Sequence, residues 1–274
     1  MRRYAEERVI IRSNVHTHTD FCDGSDSMED MVRAAIACGM DTLGISFHSF
    51  TPFDTSYCIR DYPAYMRELS RLRKKYAGSI CLLGGVELDL YGQRPQECDY
   101  VIGSVHYLKE GGSYYPIDLS RESFCTAVRE VFGGDFYAAA ERYYEEVAGL
   151  ATSIAPDIYG HFDLITRFNL GGALFDEGSE RYMRAALAAA DSLPRGAVVE
   201  VNLGRLFKGE GGPYPSDRLI RGLAARGCRF MLSSDAHCAG ALGYDFDGQC
   251  QRLKGLGISS LVRYKGRRLC EVAL

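Results

Sequence analysis

Short apolar runs alternate with amphipathic stretches along almost the whole chain. Runs of four to eight residues, rich in Val, Ile, Leu and Phe, fall at Asn14–His18, Thr42–Phe47, Ile80–Glu87, Tyr100–His106, Asp157–His161, Val198–Asn202, Arg229–Ser234 and Ile258–Tyr264. They lack polar alternation, which is how a strand buried on both faces reads. Between them, Ser27–Cys38, Tyr62–Tyr76, Phe136–Ile154, Glu180–Ser192 and Ser216–Arg226 read as amphipathic helices. Ser27 followed three residues later by Asp30 is an acidic variant of a capping box, and Gly39, Gly78 and Gly227 mark helix ends. Strand–helix alternation predicts parallel strands joined by helical crossovers. About eight strands in 274 residues point to a barrel. An open nucleotide-binding sheet would want a Gly-rich phosphate fingerprint after the first strand, and there is neither that nor a P-loop. With no linker, repeat or low-complexity tract, residues 1–274 read as a single domain.

Composition narrows the class. Hydrophobic residues at 46% and charged residues at 25% exclude a disordered chain, a collagen and a coiled coil. A net charge of −4 argues against a partner that is a long nucleic acid. The ten cysteines form no C-x-x-C pair, so a zinc ribbon or a thioredoxin-type site has no support. Several lie in apolar runs such as Ile80-Cys81-Leu82-Leu83, where a thiol packs as a small hydrophobe. The segment Met1–Arg8 is charged and lacks the apolar core of a signal peptide, and no run approaches 18 apolar residues. A reducing cytoplasm and no membrane are therefore expected.

The chemistry is carried by the histidines. His16, His18, His48, His106, His161 and His237 each sit at or just past the end of an apolar run, and Asp23, Glu87 and Asp235 share that placement. In a parallel barrel all strands end at one face, where active sites are built. A single histidine after a strand is more often a hydrogen-bonded side chain than a ligand. The coincidence of all six carries the inference. His16 and His18, two apart on a strand, point to the same side. Histidine and carboxylate donors without sulfur suit Zn, Mn or Fe with positions left open. Cys238, beside His237, is expected to pack rather than ligate.

These residues resemble a known family. His16-Thr17-His18-Thr19-Asp20-Phe21-Cys22-Asp23-Gly24 is similar to the opening motif of the polymerase and histidinol phosphatase (PHP) superfamily, and Ile45-Ser46-Phe47-His48 to its second. Gly85-Val86-Glu87-Leu88-Asp89, Gly103-Ser104-Val105-His106, Gly160-His161-Phe162-Asp163 and Ser234-Asp235-Ala236-His237 follow in family order. Val199-Glu200-Val201-Asn202, Gly212-Pro213-Tyr214-Pro215-Ser216 and Gly243-Tyr244-Asp245-Phe246-Asp247 resemble the stand-alone histidinol-phosphatase branch, whereas Leu203–Lys208 departs from its pattern. The resemblance implies a distorted TIM-like (β/α)7 barrel with a trinuclear metal site at the C-terminal ends of the strands. Carried over motif by motif, a first ion would take His16, His18, Glu87 and Asp235. A second would take Asp23, His48 and His237. A third would take His106 and His161 with Glu87 as a bridge.

Such a site suits a phosphomonoester. Three divalent ions against three carboxylates leave a positive surplus that a phosphate dianion and a hydroxide balance. A bound metal lowers the pKa of water enough to give a nucleophile near neutral pH, and two metals can frame an in-line attack on phosphorus. Arg167, Arg205 and Lys208 are the expected phosphate contacts and Asn202 a further substrate contact. Asp23 and His237 are the expected catalytic residues, with a metal-bound water as an alternative proton donor. His48–Pro63, long and aromatic, reads as a lid. Arg71-Leu72-Arg73-Lys74-Lys75 reads as a solvated helix face. The leading expectation is a metal-dependent L-histidinol-phosphate phosphatase of histidine biosynthesis. The alternatives are a PHP phosphoesterase acting on another small phosphomonoester, a nucleotide or a phosphotyrosine protein, and a metal-binding module without turnover. The apolar end Cys270–Leu274 is expected to pack on the barrel or on a second subunit, so a homo-oligomer stays open.

Overall fold

The computed structural model describes residues 11–274, so the charged segment Met1–Arg8 lies outside the described residues. In chain order the strands are β1 (Ser13–Asn14), β2 (Thr42–His48), β3 (Cys81–Asp89), β4 (Tyr100–Ser104), β5 (Tyr107–Glu110), β6 (Ser113–Pro116), β7 (Ile158–Tyr159), β8 (Val198–Asn202), β9 (Arg229–Ser233), β10 (Ser260–Lys265) and β11 (Arg268–Ala273). The helices are α1 (Met28–Ala37), α2 (Tyr62–Lys75), α3 (Arg121–Phe132), α4 (Phe136–Ser153), α5 (Glu180–Asp191), α6 (Gly204–Phe207), α7 (Asp217–Ala225) and α8 (Phe246–Gly255). Seven parallel strands form one sheet in the order β1-β2-β3-β4-β7-β8-β9. A parallel bridge between Thr17 and Ala236, just past β1 and β9, joins its two ends. His18 N donates to Ala236 O at 2.7 Å across this seam, so the sheet curls into a distorted barrel.

All five predicted helices are present, and Ser27 accepts a bond from Asp30 N as the capping pattern expects. Several strands are shorter than predicted. β1 stops at Asn14 because side chains take over the ladder. Ser46 Oγ accepts from Thr17 N, and Thr17 Oγ1 donates to Gly44 O. The eighth predicted run, Ile258–Tyr264, does not join the parallel sheet. It becomes β10, paired antiparallel with β11. A two-residue turn at Gly266-Arg267 folds the chain back on itself, and the hairpin packs against β9 and β1. Arg263 clasps Asp41, before β2, and Arg267 pairs with Asp99, before β4. The hairpin therefore sits at the N-terminal end of the barrel, and Cys270–Leu274 pack on this chain.

The barrel interior is filled from that end. Val15, Leu83, Tyr100, Ile102, Ile158, Val198, Met231, Val262 and Tyr264 form one buried cluster, while a larger one fills the space between sheet and helices. The Tyr100 hydroxyl donates to Val15 O at 2.5 Å, and its ring lies where a Cβ on Gly44 or Gly85 would fall. Close approach thus requires glycine at both positions. With an apolar plug below, the polar ends of the strands form the floor of a site above.

One buried acid outside that site has a pH signature. Glu146 on α4 accepts from Lys109 N at 3.0 Å and Arg142 Nε at 3.1 Å, but its Oε2 is buried without a partner. Burial pushes its carboxyl up to about 7. The folded state then binds a proton that the unfolded chain has released at about pH 4.3. Its contribution to stability is present at low pH and is lost as pH rises through 7. The Tm of Glu146→Gln relative to wild type is expected to climb between pH 5 and 8. A pH-independent difference in calorimetry would refute this.

Candidate metal centre

The strand ends bring the expected donors together. Thr19 to Gly24 form a tight turn, with Cys22 N and Gly24 N both bonded to Thr19 O, and it presents Asp23 toward the barrel axis. A Cβ on Gly24 would overlap the Thr19 backbone, so this turn admits only glycine there. At the end of β9, Asp235 adopts a left-handed backbone with φ +49°. Its carboxylate is thereby carried inward beside His16 and His18.

Glu87, at the C-terminal end of β3, is the hub. Its Oε1 lies 2.8 Å from His161 Nε2 and 3.2 Å from His106 Nε2, and its Oε2 lies 3.0 Å from His48 Nδ1. The same Oε2 is 3.2 Å from His16 Nε2 and 3.5 Å from His18 Nε2. Asp235 Oδ1 completes this corner at 3.5 Å from His16 Nε2 and 3.3 Å from His18 Nε2. These four atoms are buried and have no hydrogen-bond partner. A tetrahedral ion with bonds of about 2.0–2.2 Å needs ligand–ligand edges of about 3.3–3.6 Å. The four imidazole–carboxylate distances of 3.2–3.5 Å come close to those edges, His16, His18 and Glu87 form one group of close donors, and an orphaned set of two imidazole nitrogens and two carboxylate oxygens is what a divalent cation would satisfy. A second group of close donors comprises His18, Asp23, His48 and His237, and a third His48, Glu87 and His106. His18 therefore neighbours two groups, and His48 lies nearer the third than the motif carry-over implies.

Electrostatics point the same way. Among the described residues, none of Asp23, Glu87, Glu200 and Asp235 has a Lys or Arg partner. Burial opposes charge on His16, but Glu200, Asp235 and Glu87 outweigh it and raise its pKa. Burial likewise opposes charge on His106, yet Glu87 and Asp89 hold it up at about 10. His18 goes the other way, pushed down to about 4 by burial and by His48 and His237. The centre as a whole pulls in positive charge, and its ionisable groups are spread over a range suited to exchanging protons for metal.

Two carboxylates without an assigned role in the sequence support these donors. Glu200 on β8 is buried and lies 2.5 Å from His16 Nδ1, and it also accepts from His161 N, Asn202 Nδ2 and Ser233 Oγ. Asp89 accepts from His106 N at 3.0 Å and lies 3.3 Å from its Nδ1. Partners of this kind fix the orientation of a ligating imidazole. The signal available in sequence was an acid inside an otherwise apolar run, which must be paired if the run is a buried strand.

Above the centre opens a cavity of about 250 Å³. Arg167, Arg205 and Lys208 line it, as do Asp54 and Asp118 with Tyr57 and Tyr107. The expected lid segment forms part of its wall. Tyr57 packs edge-on to His48 at 4.9 Å, and Ile59 N bonds to His48 O. Asn202 lines the cavity, but its amide is engaged by Glu200, Asp235 and Gly204 N. Arg205 spends Nε on Gly212 O and Nη1 on Thr166 O. Cys22 lies 3.6 Å from His18 Nδ1, Cys238 packs against the core, and all ten cysteines are free thiols.

A phosphoesterase-type barrel with a multi-donor metal centre at its C-terminal rim defines a class, and comparison with known proteins places the chain in it. The sequence pattern of the PHP domain matches residues 14–203, and the chain belongs to the PHP family. Its relatives within that family include histidinol-phosphatases. A Bacillus subtilis histidinol-phosphatase is 25% identical over 266 residues, covering 86% of this chain and 97% of the relative. A Deinococcus radiodurans protein bearing the name "Probable histidinol-phosphatase" is 28% identical over 269 residues, covering 93% and 96%. Among solved structures, the histidinol phosphate phosphatase of Lactococcus lactis, complexed with Zn, L-histidinol and phosphate, superposes with a TM-score of 0.63 at 18% identity, covering 94% of this chain and 98% of that one. Among the described residues, no helix is long and apolar enough to cross a membrane.

Proposed function

We propose that this chain hydrolyses L-histidinol phosphate in histidine biosynthesis, in the cytoplasm, with three divalent ions held by His16, His18, Asp23, His48, Glu87, His106, His161, Asp235 and His237. The observation that carries the reading is the cavity of two charges above the donor cluster. Its basic residues Arg167, Arg205 and Lys208 fit a phosphate. Its acidic residues Asp54 and Asp118 fit the cationic amino alcohol that would leave. The names and bound molecules of the relatives agree with both. Donors of nitrogen and oxygen only, in three overlapping groups, support Zn, Mn or Fe as the ions and three as their number.

Bound divalent ions supply electrostatic stabilisation of the transferring phosphoryl group and an acidified water. The protein's own residues do the rest. Arg167, with its Nε free of partners, and Lys208, exposed and reaching the cavity, bind and orient the phosphate. Asn202 holds Asp235 in place. Asp23 and His237 lie at the mouth with a contact of 3.2 Å between Asp23 Oδ2 and His237 Nε2. His237 Nδ1 is 3.0 Å from Asp235 O, which suits a protonated Nδ1 and leaves Nε2, beside Asp23, as the atom that would hold an ion. Burial resists ionisation of Asp23, but His237 and His48 keep its carboxyl well below the usual range. It is therefore a carboxylate that can take a proton from water and pass it to the leaving alkoxide, with His237 orienting it.

Metal-reconstituted protein is expected to release phosphate from L-histidinol phosphate with a kcat/KM at least tenfold above that for a nucleotide, a sugar phosphate and a phosphotyrosine peptide. A flat profile across that panel, or a preference for another member, would replace the proposed substrate while keeping the phosphoesterase. No release from any member, with metal bound, would leave a metal-binding module without turnover.

A further inference from the structure

Among the described residues, Tyr214 carries the one buried hydroxyl in the cavity wall without a hydrogen-bond partner. The residue is 2% exposed and lines the cavity, and its OH has no hydrogen-bond partner. Buried tyrosine hydroxyls nearly always find one, so an orphan beside a cavity calls for an occupant. The ring is held firmly. Asn202 N donates to Tyr214 O at 2.8 Å and Tyr214 N to Asn202 O at 3.0 Å, which fastens the residue to the end of β8. The Arg205 guanidinium lies over the ring face at 4.3 Å, and the His161 ring meets it at 6.5 Å in an edge-on arrangement.

This arrangement changes the reading of Arg205. Its Nε and Nη1 are committed to Gly212 O and Thr166 O, so it stacks on Tyr214 and pins the segment that carries it. Burial pushes the pKa of the hydroxyl up, and Arg205 and Arg167 favour negative charge there while Asp163 and Asp118 oppose it. Arg167 brings a second buried orphan, its Nε, to the cavity wall, while its Nη2 lies 3.6 Å from Glu210 Oε2. Two donor atoms without hydrogen-bond partners, Arg167 Nε and the Tyr214 hydroxyl, thus belong to residues lining the space where the proposed function puts an anion.

We propose that Tyr214 is a substrate-contacting residue whose hydroxyl donates a hydrogen bond to a non-bridging oxygen of the phosphoryl group, alongside Arg167, with Arg205 acting as its positioning residue. The role rests on the phosphomonoester reading of the site. Two acids compete for it within the fold: Asp163, whose Oδ1 is also buried without a partner, and Asp118 both act on the same hydroxyl through their charge. If the hydroxyl served these acids alone, its loss would alter stability and leave anion binding untouched.

The test is calorimetric titration of metal-loaded wild type and Tyr214→Phe with inorganic phosphate, together with kinetics and metal analysis. Titration reports on folded sites only, so a change in stability does not enter the affinity. Phosphate affinity is expected to weaken about tenfold in the variant, the magnitude of one hydrogen bond to a charged group. The metal content should match wild type, and kcat/KM should fall by a similar factor. Equal phosphate affinity within twofold would overturn the proposal, as would loss of metal from the variant or failure of wild type to bind phosphate. Because the probe is phosphate itself, failure of L-histidinol phosphate as a substrate overturns the proposed function without deciding the role of Tyr214.

Discussion

Glu87→Gln is expected to lower kcat/KM by at least about a thousandfold, or about 4 kcal/mol of transition-state stabilisation. One carboxylate meets five imidazoles, those of His16, His18, His48, His106 and His161, at 2.8–3.5 Å. Its negative charge is what lets so many donors share one space, and burial would otherwise forbid it. His16 and His48 hold its carboxyl well below the usual range against that burial. Glutamine keeps the volume and the bond from Ser104 Oγ, so the fold should survive while the bridging charge is lost. Phosphate release by the reconstituted variant, with elemental analysis of the same sample, checks the result. Activity within tenfold of wild type at full metal content would show that Glu87 does not bridge ions in the working enzyme.

Glu200→Ala is expected to weaken metal binding by about 10–100-fold, the usual effect of removing a carboxylate behind a ligating histidine. It should also cost about 3–5 kcal/mol of stability, as breaking a buried charged pair does. Glu200 is 1% exposed and satisfies four donors, those of His16, His161, Asn202 and Ser233. Removing it frees the His16 ring to rotate and leaves those donors buried and unmet. Competition with a fluorescent chelator measures the affinity, and urea unfolding of the metal-free protein measures the stability. If stability falls but affinity for metal holds, Glu200 supports the barrel and not the orientation of His16.

The fold was legible where local and global preferences agree. Unbroken apolar runs such as Val198–Asn202 became strands at the predicted bounds, and Ser27 capped its helix as expected. Ile258–Tyr264 shows where that reasoning ends. Its composition is that of a buried parallel strand, but the two-residue turn at Gly266-Arg267 makes an antiparallel partner available immediately. Which partner a strand takes depends on what closes the seam between β1 and β9, and that is a contact between residues about 220 apart in the chain, such as Thr17 and Ala236. Helices α3 and α8 were not predicted, although they are no shorter than α1 and α7, which were.

The donors of the centre were also visible in the chain itself. Six histidines at strand ends have few ways to be placed in a parallel barrel except around one rim, because every strand of such a barrel ends on the same face. The supporting shell was not visible in that way. Nothing in the local sequence says that Glu200 stands behind His16, that Asp89 stands behind His106, or that Arg205 stacks on Tyr214. Those pairings join side chains from different strands and loops, and burial makes them obligatory once the barrel closes. Sequence alone thus determined which residues meet at the rim, through strand period and chain direction. The tertiary structure decided which of them face a metal, which face a neighbour and which face the substrate, because those roles depend on distances of a few ångströms between segments far apart in the chain.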